Sequence, residues 1–182
     1  LIVPMRSTSF DLNKAPISTK ISSWERISGR SMPPRIKAGA NYLNSRLAQQ
    51  EAKDTGYDMA IFLNSFGFVA EAPGSCVFLV KDGVFYTPSL NSAILDSITR
   101  SIVIVIAIEI LKHRVIETNL ERIDFYQASE VFLCGTAMEI TPVKSLDHIV
   151  YNDFCQTRKI MNIYSEFVKG NIEIKGRKVF KV

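Results

Sequence analysis

The sequence predicts an α+β domain with a mixed sheet and flanking helices. Three observations point to it. Short apolar runs rich in β-branched residues recur along the chain, each bounded by Gly, Pro, Asp or Ser. Lys81-Asp82-Gly83 is a hairpin turn between two of them. Segments with a helical apolar stripe are interspersed among these runs instead of being gathered at one end.

The elements follow in order. SGRSMPPR, residues 28 to 35, is an extended loop because of Gly29, Pro33 and Pro34. NYLNSRLAQQEAKDTG reads as a helix, with Leu43, Leu47, Ala48 and Ala52 as its apolar stripe and Gly56 as its stop. MAIFLN is a strand that ends in a turn at Ser65 to Gly67, and FGFVAEA and SCVFLV are expected strands after it. VFYTP returns from the Lys81-Asp82-Gly83 turn. Residues 98 to 112 stay open: IVIVIAIEIL has a strand composition, yet its length and the preceding Asp96 and Ser97 suit a buried helix. RVIET is a strand, NLERIDFYQAS a short helix, EVFLCGT a strand, and MEITPVKSLD a strand running into a turn. Residues 156 to 168 form an amphipathic helix with Ile160, Ile163, Tyr164, Phe167 and Val168 on one face. The tail alternates around Lys175-Gly176 like a hairpin.

Bulk properties narrow the class. With 182 residues, 47% apolar, the chain holds one good core, and residues 1 to 182 read as a single domain. The net charge is +4, but Lys and Arg are spread along the chain, densest from Lys169 to Lys181, so no nucleic-acid face is expected. Cys76, Cys134 and Cys155 have no disulfide or zinc spacing and suit a reducing, cytoplasmic setting. His113 and His148 have no partner at metal-ligand spacing; both are expected at the surface, and no metal is expected. LIVPMRSTSF lacks the pattern of a signal peptide. The apolar run from Ile102 to Leu111 falls short of the ~20 residues that span a bilayer.

Three places could carry chemistry. Lys37 lies between the proline-stiffened loop and a helix start, among Ala38, Gly39 and Ala40. A lysine held there would lose solvent and deprotonate more easily, as Schiff-base chemistry requires. Read alone, it is an ordinary loop lysine. Glu71 ends a strand beside a turn, where a carboxylate can pair with a cationic ring nitrogen or simply face water. DSIT, residues 96 to 99, and CGTAM, residues 134 to 138, could each cradle an anion on backbone amides, though capping explains such residues equally well.

Taken together and in order, these segments resemble the class IV aminotransferases, the fold-type-IV enzymes that use pyridoxal 5'-phosphate. The nearest likeness is to bacterial branched-chain amino acid aminotransferases. PPRIKAGANYLNS, GYDMAIFLNSFGFVAEAPGS, FLVKDGVFYTP, ILDSITR and EVFLCGTAMEITPV match that family's segments in register from about Ser22 to Asp147. The resemblance implies the large domain of the D-amino acid aminotransferase-like fold, a largely antiparallel sheet curled into a pseudo-barrel. It implies a Schiff base between Lys37 and pyridoxal phosphate, with Lys37 also moving protons. By the same likeness Tyr42 bonds the cofactor's phenolic oxygen and Glu71 the pyridine nitrogen. Ser97, Ile98, Thr99 and Thr136 lie at the phosphate, and the amides of Ala137 and Met138 face the substrate carboxylate. The implied reaction is transamination between a branched-chain amino acid and a 2-oxo acid such as 2-oxoglutarate, in a homo-oligomer. A D-amino acid aminotransferase, an aminodeoxychorismate lyase and a non-catalytic homologue are the alternatives.

The sequence departs from the family in four places, one of them the tail after Asp147, which drifts from the family's pattern. The family's Glu-Gly-x-Gly-Glu-Asn is here Glu71-Ala72-Pro73-Gly74-Ser75-Cys76, which puts the support of Glu71 in question. Ser97 stands where the family has a glycine, which would weaken the phosphate cup if that position needed a positive φ or a close approach of the phosphate. The family's smaller N-terminal domain, which bears a phosphate-binding arginine and much of the substrate pocket, is expected to lie outside this chain.

Overall fold

The computed structural model describes residues 12–174, and the hairpin expected at Lys175 and Gly176 lies outside them. Eight strands form one sheet. They are β1 (Ile17–Glu25), β2 (Met59–Leu63), β3 (Cys76–Lys81), β4 (Val84–Pro88), β5 (Val115–Thr118), β6 (Glu130–Gly135), β7 (Glu139–Leu146) and β8 (Ile149–Val150). The helices are α1 (Tyr42–Asp54), α2 (Ile98–Val105), α3 (Arg122–Tyr126) and α4 (Cys155–Val168). The strand order is β2-β1-β7-β6-β3-β4-β5, with β8 beside β7. The centre is antiparallel, and the β1–β2, β1–β7 and β4–β5 pairs are parallel. The two ends of this path curl towards each other. Val69, which bridges to Leu63 of β2, donates its amide to the carbonyl of Leu120 just beyond β5.

Curling gives the central strands two buried faces, so they read as continuous apolar runs without alternation. On β3, Val77 and Leu79 point into a cluster with Ile61, Val131, Leu133 and Val143. Cys76, Phe78 and Val80 point to the opposite side, against α2 and α4. There the Phe78 and Phe132 rings stack at 5.1 Å, with Phe85 edge-on to Phe132. The β3–β4 turn forms as expected, with Asp82 and Gly83 both at positive φ.

The undecided run is helical. Ser97 caps α2 by accepting the amide of Arg100, and the helix continues as a π-helical turn over Ile106–Ile110. Ile102, Val103, Ile106 and Ala107 recur at three- and four-residue spacing and pack on α4, so burial outweighs the strand propensity of the β-branched residues. His113 is half-buried instead of free at the surface, with its Nδ1 2.9 Å from the Gly83 carbonyl.

Two further expectations need correction. Helix α1 buries Ser45, Ala48 and Ala52, whereas Leu43 is 64% exposed and Leu47 also faces out. Its packed face has small residues because Phe62 and Ile94 fill the space beneath it. FGFVAEA is not a regular strand. Ala70 donates to the Phe62 carbonyl, while Phe62 donates to the carbonyl of Glu71. Two residues thus oppose one, as in a β-bulge. Strand β1 was not expected at all, because Lys20, Ser22 and Ser23 dilute the alternation of Thr19 and Ile21. No helix among the described residues is long and apolar enough to cross a membrane.

Glu51 ties α1 to β1. Its carboxylate accepts from the Ser22 hydroxyl at 2.6 Å, from Lys20 at 2.9 Å and from the Ser23 amide. Desolvation raises its pKa, but these bonds bring it down to about 2 from the ordinary 4.5. A carboxyl depressed by folding stabilises above its unfolded pKa and loses that contribution as pH falls through the folded value. We therefore expect Glu51→Gln to cost about 1–2 kcal/mol in urea unfolding at pH 7. The gap to wild type should shrink between pH 4.5 and 2; a gap that stays constant to pH 2 would contradict this.

Candidate active site

A cleft with about 580 Å³ of empty space, counted to its open mouth, lies beside the start of α1. Its walls come from the loop before α1, the turn over residues 71–76, the segment leading into α2, and the end of β6. Lys37, Tyr42, Glu71, Ser97 and Thr136 all line it, although up to 99 residues of sequence separate them.

The loop bearing Lys37 is pinned by Asn41, whose Nδ2 donates to the carbonyls of Pro33 and Ile36 at 3.1 and 2.9 Å. A short 3-10 turn, Gly39–Asn41, then feeds α1 and brings Tyr42 to the same wall. Lys37 is exposed, contrary to the expectation that it loses solvent, because it stands on the rim of an open cleft. The space beside Gly39 is also open. The amine is therefore available to a ligand that enters from outside.

Glu71 is the deep group, 4% exposed. The bulge at Ala70 and Glu71 leads directly into a tight turn, in which Ala72 and Ser75 pair around Pro73-Gly74. Oε1 of Glu71 accepts from Arg26 Nη2 at 2.7 Å, and Oε2 accepts from the Leu95 amide at 3.0 Å. The Cys76 thiol lies 4.0 Å from Oε2. The turn thus survives the loss of the family's second acid and asparagine, and its carboxylate has donors from three other elements. Burial pushes the Glu71 carboxyl above its ordinary pKa, against the pull of the Arg26 charge and the Leu95 amide.

Sequence reasoning missed Arg26. It is 7% exposed, lies 5.5 Å from the centroid of the Phe62 ring, and lines the cleft. Its Nε is buried without a hydrogen-bond partner among the described residues. The available signal was indirect: a buried glutamate demands a cation, but 45 residues separate the two.

At the other end of the cleft, Ser97 has φ −88°, so its backbone conformation does not require glycine. Ser97 satisfies the amide of Arg100 and leaves the Ile98 and Thr99 amides as first-turn donors without an intrahelical acceptor. The Ile98 side chain is 76% exposed and that of Thr99 is buried, and neither lines the cleft. Thr136 follows Gly135, where a Cβ would sit 3.0 Å from the Gly74 carbonyl oxygen. This close approach joins the end of β6 to the turn over residues 71–76. Ala137 and Met138 lie just beyond and do not line the cleft; the Met138 carbonyl accepts from Lys14 at 2.9 Å. Cys76 and Cys134 face each other across β3 and β6, and burial pushes the Cys134 thiol well above its ordinary pKa, with the Cys76 neighbour adding to the shift. The Cys134 thiol is a poor nucleophile in that setting.

Comparison with known proteins places this cleft in context. Residues 1–146 match the family model for amino-transferase class IV. A probable branched-chain-amino-acid aminotransferase of Aquifex aeolicus is 42% identical over 160 residues, which is 86% of this chain and 51% of the relative. The branched-chain-amino-acid aminotransferase of Escherichia coli is 45% identical over 133 residues, 73% of this chain and 43% of the relative. The chain spans about half the length of the curated relatives it matches. Among solved structures, the branched-chain amino acid aminotransferase of Thermobaculum terrenum in its PLP form superposes with a TM-score of 0.86 at 47% identity. That overlap covers 88% of this chain and 53% of the other.

Removing Arg26 would leave the Glu71 charge buried and unpaired. Arg26→Met is expected to cost about 3–5 kcal/mol in urea unfolding, and Glu71→Gln introduced beside it to restore part of the loss. Additive single and double variants would mean that the pair is not coupled. Gly135→Ala should push the Gly74 backbone away and lower stability by about 1–3 kcal/mol. An unchanged midpoint for that variant would rule out the close approach.

Proposed function

The chain belongs to the class IV amino-transferases, and we propose that it is the cofactor-binding domain of a pyridoxal-phosphate-dependent aminotransferase acting on branched-chain amino acids. One observation supports this most. Lys37 with its primary amine, the buried carboxylate of Glu71 and the hydroxyl-bearing Ser75, Ser97 and Thr136 line a single cleft, and the first turn of α2 follows directly after Ser97.

The residues present fit a phosphorylated pyridine aldehyde. Glu71 is a buried acceptor for a ring N–H: Oε1 keeps a lone pair beyond the bond to Arg26, while Oε2 accepts from the Leu95 amide and the Cys76 thiol. The Ser75 hydroxyl on the same wall is buried without a partner among the described residues. The start of α2 offers the Ile98 and Thr99 amides to a phosphate, with the Ser97 and Thr136 hydroxyls beside them. Bound there, pyridoxal phosphate supplies an aldehyde that condenses with amines and a ring that withdraws electrons from the substrate's α-carbon.

The chain's own residues would do the rest. Lys37 Nζ would hold the cofactor covalently. Once displaced by the substrate amine, it would take the proton from the substrate's Cα and return it on the cofactor side. Tyr42 would orient the ring through its phenolic oxygen. Glu71, kept in place by Arg26, would hold the proton on the ring nitrogen. The Ala137 and Met138 amides, in the turn after Thr136, would meet the substrate carboxylate. The amino group would pass in turn to a 2-oxo acid such as 2-oxoglutarate. We take residues 1–182 to be one domain of a cytoplasmic homo-oligomer.

The test is direct. The chain mixed with pyridoxal phosphate should turn yellow. Borohydride should bleach it and leave a stable mass addition on the peptide containing Lys37. Lys37→Ala should abolish the addition, and should lower transamination of leucine with 2-oxoglutarate by the full protein more than about 10³-fold. A colourless mixture with no mass addition would overturn the reading. Release of pyruvate from aminodeoxychorismate, with no transamination of leucine, would redirect it to a lyase.

A further inference from the structure

One buried charge beside the cleft has no part in the chemistry above. Arg100 is 3% exposed and is the third residue of α2, directly after Thr99. Its side chain does not line the cleft. It runs into the sheet instead: Nη2 donates to the Pro88 carbonyl at 2.8 Å and to Glu117 Oε2 at 2.7 Å, and Nε donates to the Thr87 hydroxyl at 3.3 Å. Thr87 is itself fully buried and donates its hydroxyl to the Val77 carbonyl at 2.9 Å. Val77 follows Cys76, where the turn that carries Glu71 ends. A continuous chain of bonds therefore joins the first turn of α2 to the opposite wall of the cleft through β4 and β3, with Glu117 of β5 bonded to the same guanidinium.

Helix stability does not explain an arginine at this position. A cation in the first turn opposes the helix dipole, and burying one carries a desolvation cost. The apolar stripe of Ile102, Val103 and Ile106 already holds the helix against the core. What apolar packing cannot do is fix rotation, because it is non-directional, and one residue of helical rotation turns the first amides by about 100°. Directed hydrogen bonds can fix it. On the other side of the same turn, the buried Thr99 side chain lies beside the phenol of Tyr164 from α4.

We propose that Arg100 is a positioning residue for anion binding, which aims the Ile98 and Thr99 amides of α2 at the phosphate group of the cofactor. The inference rests on the functional reading above. It predicts a loss mainly of phosphate binding, because Glu71, which receives the ring, is held directly by Arg26 and the Leu95 amide and has no bond to Arg100.

The experiment compares binding of pyridoxal 5'-phosphate with binding of pyridoxal, which lacks the phosphate, by absorbance titration of the full chain. Arg100→Met should raise the Kd for pyridoxal phosphate at least tenfold and change that for pyridoxal less than twofold. Arg100→Lys, which keeps the charge and one donor direction, should recover part of the loss. Glu117→Gln alters only the half-exposed partner and preserves the fold, so it decides the matter if Arg100→Met does not fold. It should raise the pyridoxal phosphate Kd about threefold and speed amide exchange in residues 98–101 without cofactor. Equal losses for both compounds, or no loss in Glu117→Gln and Arg100→Met, would overturn the role of Arg100. A wild-type chain that binds neither compound would instead remove the functional reading, and this inference with it.

Discussion

Burying a carboxylate sets strict conditions on everything around it, and Glu71 sets them for this fold. Both of its oxygens need donors that do not come from water. Arg26 arrives from the end of β1, the Leu95 amide from the segment before α2, and the Cys76 thiol from the start of β3. Three parts of the chain distant in sequence must therefore meet at one point. The parallel placement of β1 beside β2 is what brings Arg26 within reach, and its amide is fixed by the Leu63 carbonyl at 2.8 Å.

The double-sided burial of β3 and β6 is the counterpart of that demand. Strands packed on both faces form a rigid floor, and the turn over residues 71–76, the end of β6 and the start of α2 all rest on it. Gly135 allows β6 to touch that turn, and Arg100 holds α2 to β4 and β5. The cleft is a gap between parts that are each tied to the same sheet. The rim that bears Lys37 and Tyr42 is a loop and helix start pinned by the local bonds of Asn41 and by longer ties from Arg35 to Asn91 and from Asn44 to Glu25.

Local chemistry was the legible part of the sequence. The Lys81-Asp82-Gly83 turn, the stop at Gly56 and the amphipathic α4 each depend on neighbours a few residues away, so their signals lie in short windows. Long-range pairing left weaker traces. β1 carries too many polar residues to read as a strand, because Ser22 and Lys20 serve Glu51 on α1. The identity of α2 was undecidable because its composition and its packing favour different structures. Leu43 and Leu47 misled because their spacing is helical although their face is not the buried one. At the cleft, ordered motifs marked Lys37, Tyr42, Glu71, Ser97 and Thr136. Arg26 and Arg100 were silent, since nothing near them in sequence reveals the partners that justify burying them.

The bulge at Ala70 and Glu71 sets length changes apart from substitutions in this region. An exchanged side chain between Asn64 and Cys76 perturbs one contact. A deleted residue there shifts the phase of every residue that follows relative to β2, and turns the carboxylate from one side of the ribbon to the other. Homologous chains could therefore vary in composition across this stretch while keeping its residue count, and gain or lose residues freely only at surface turns such as the one at Asp82 and Gly83.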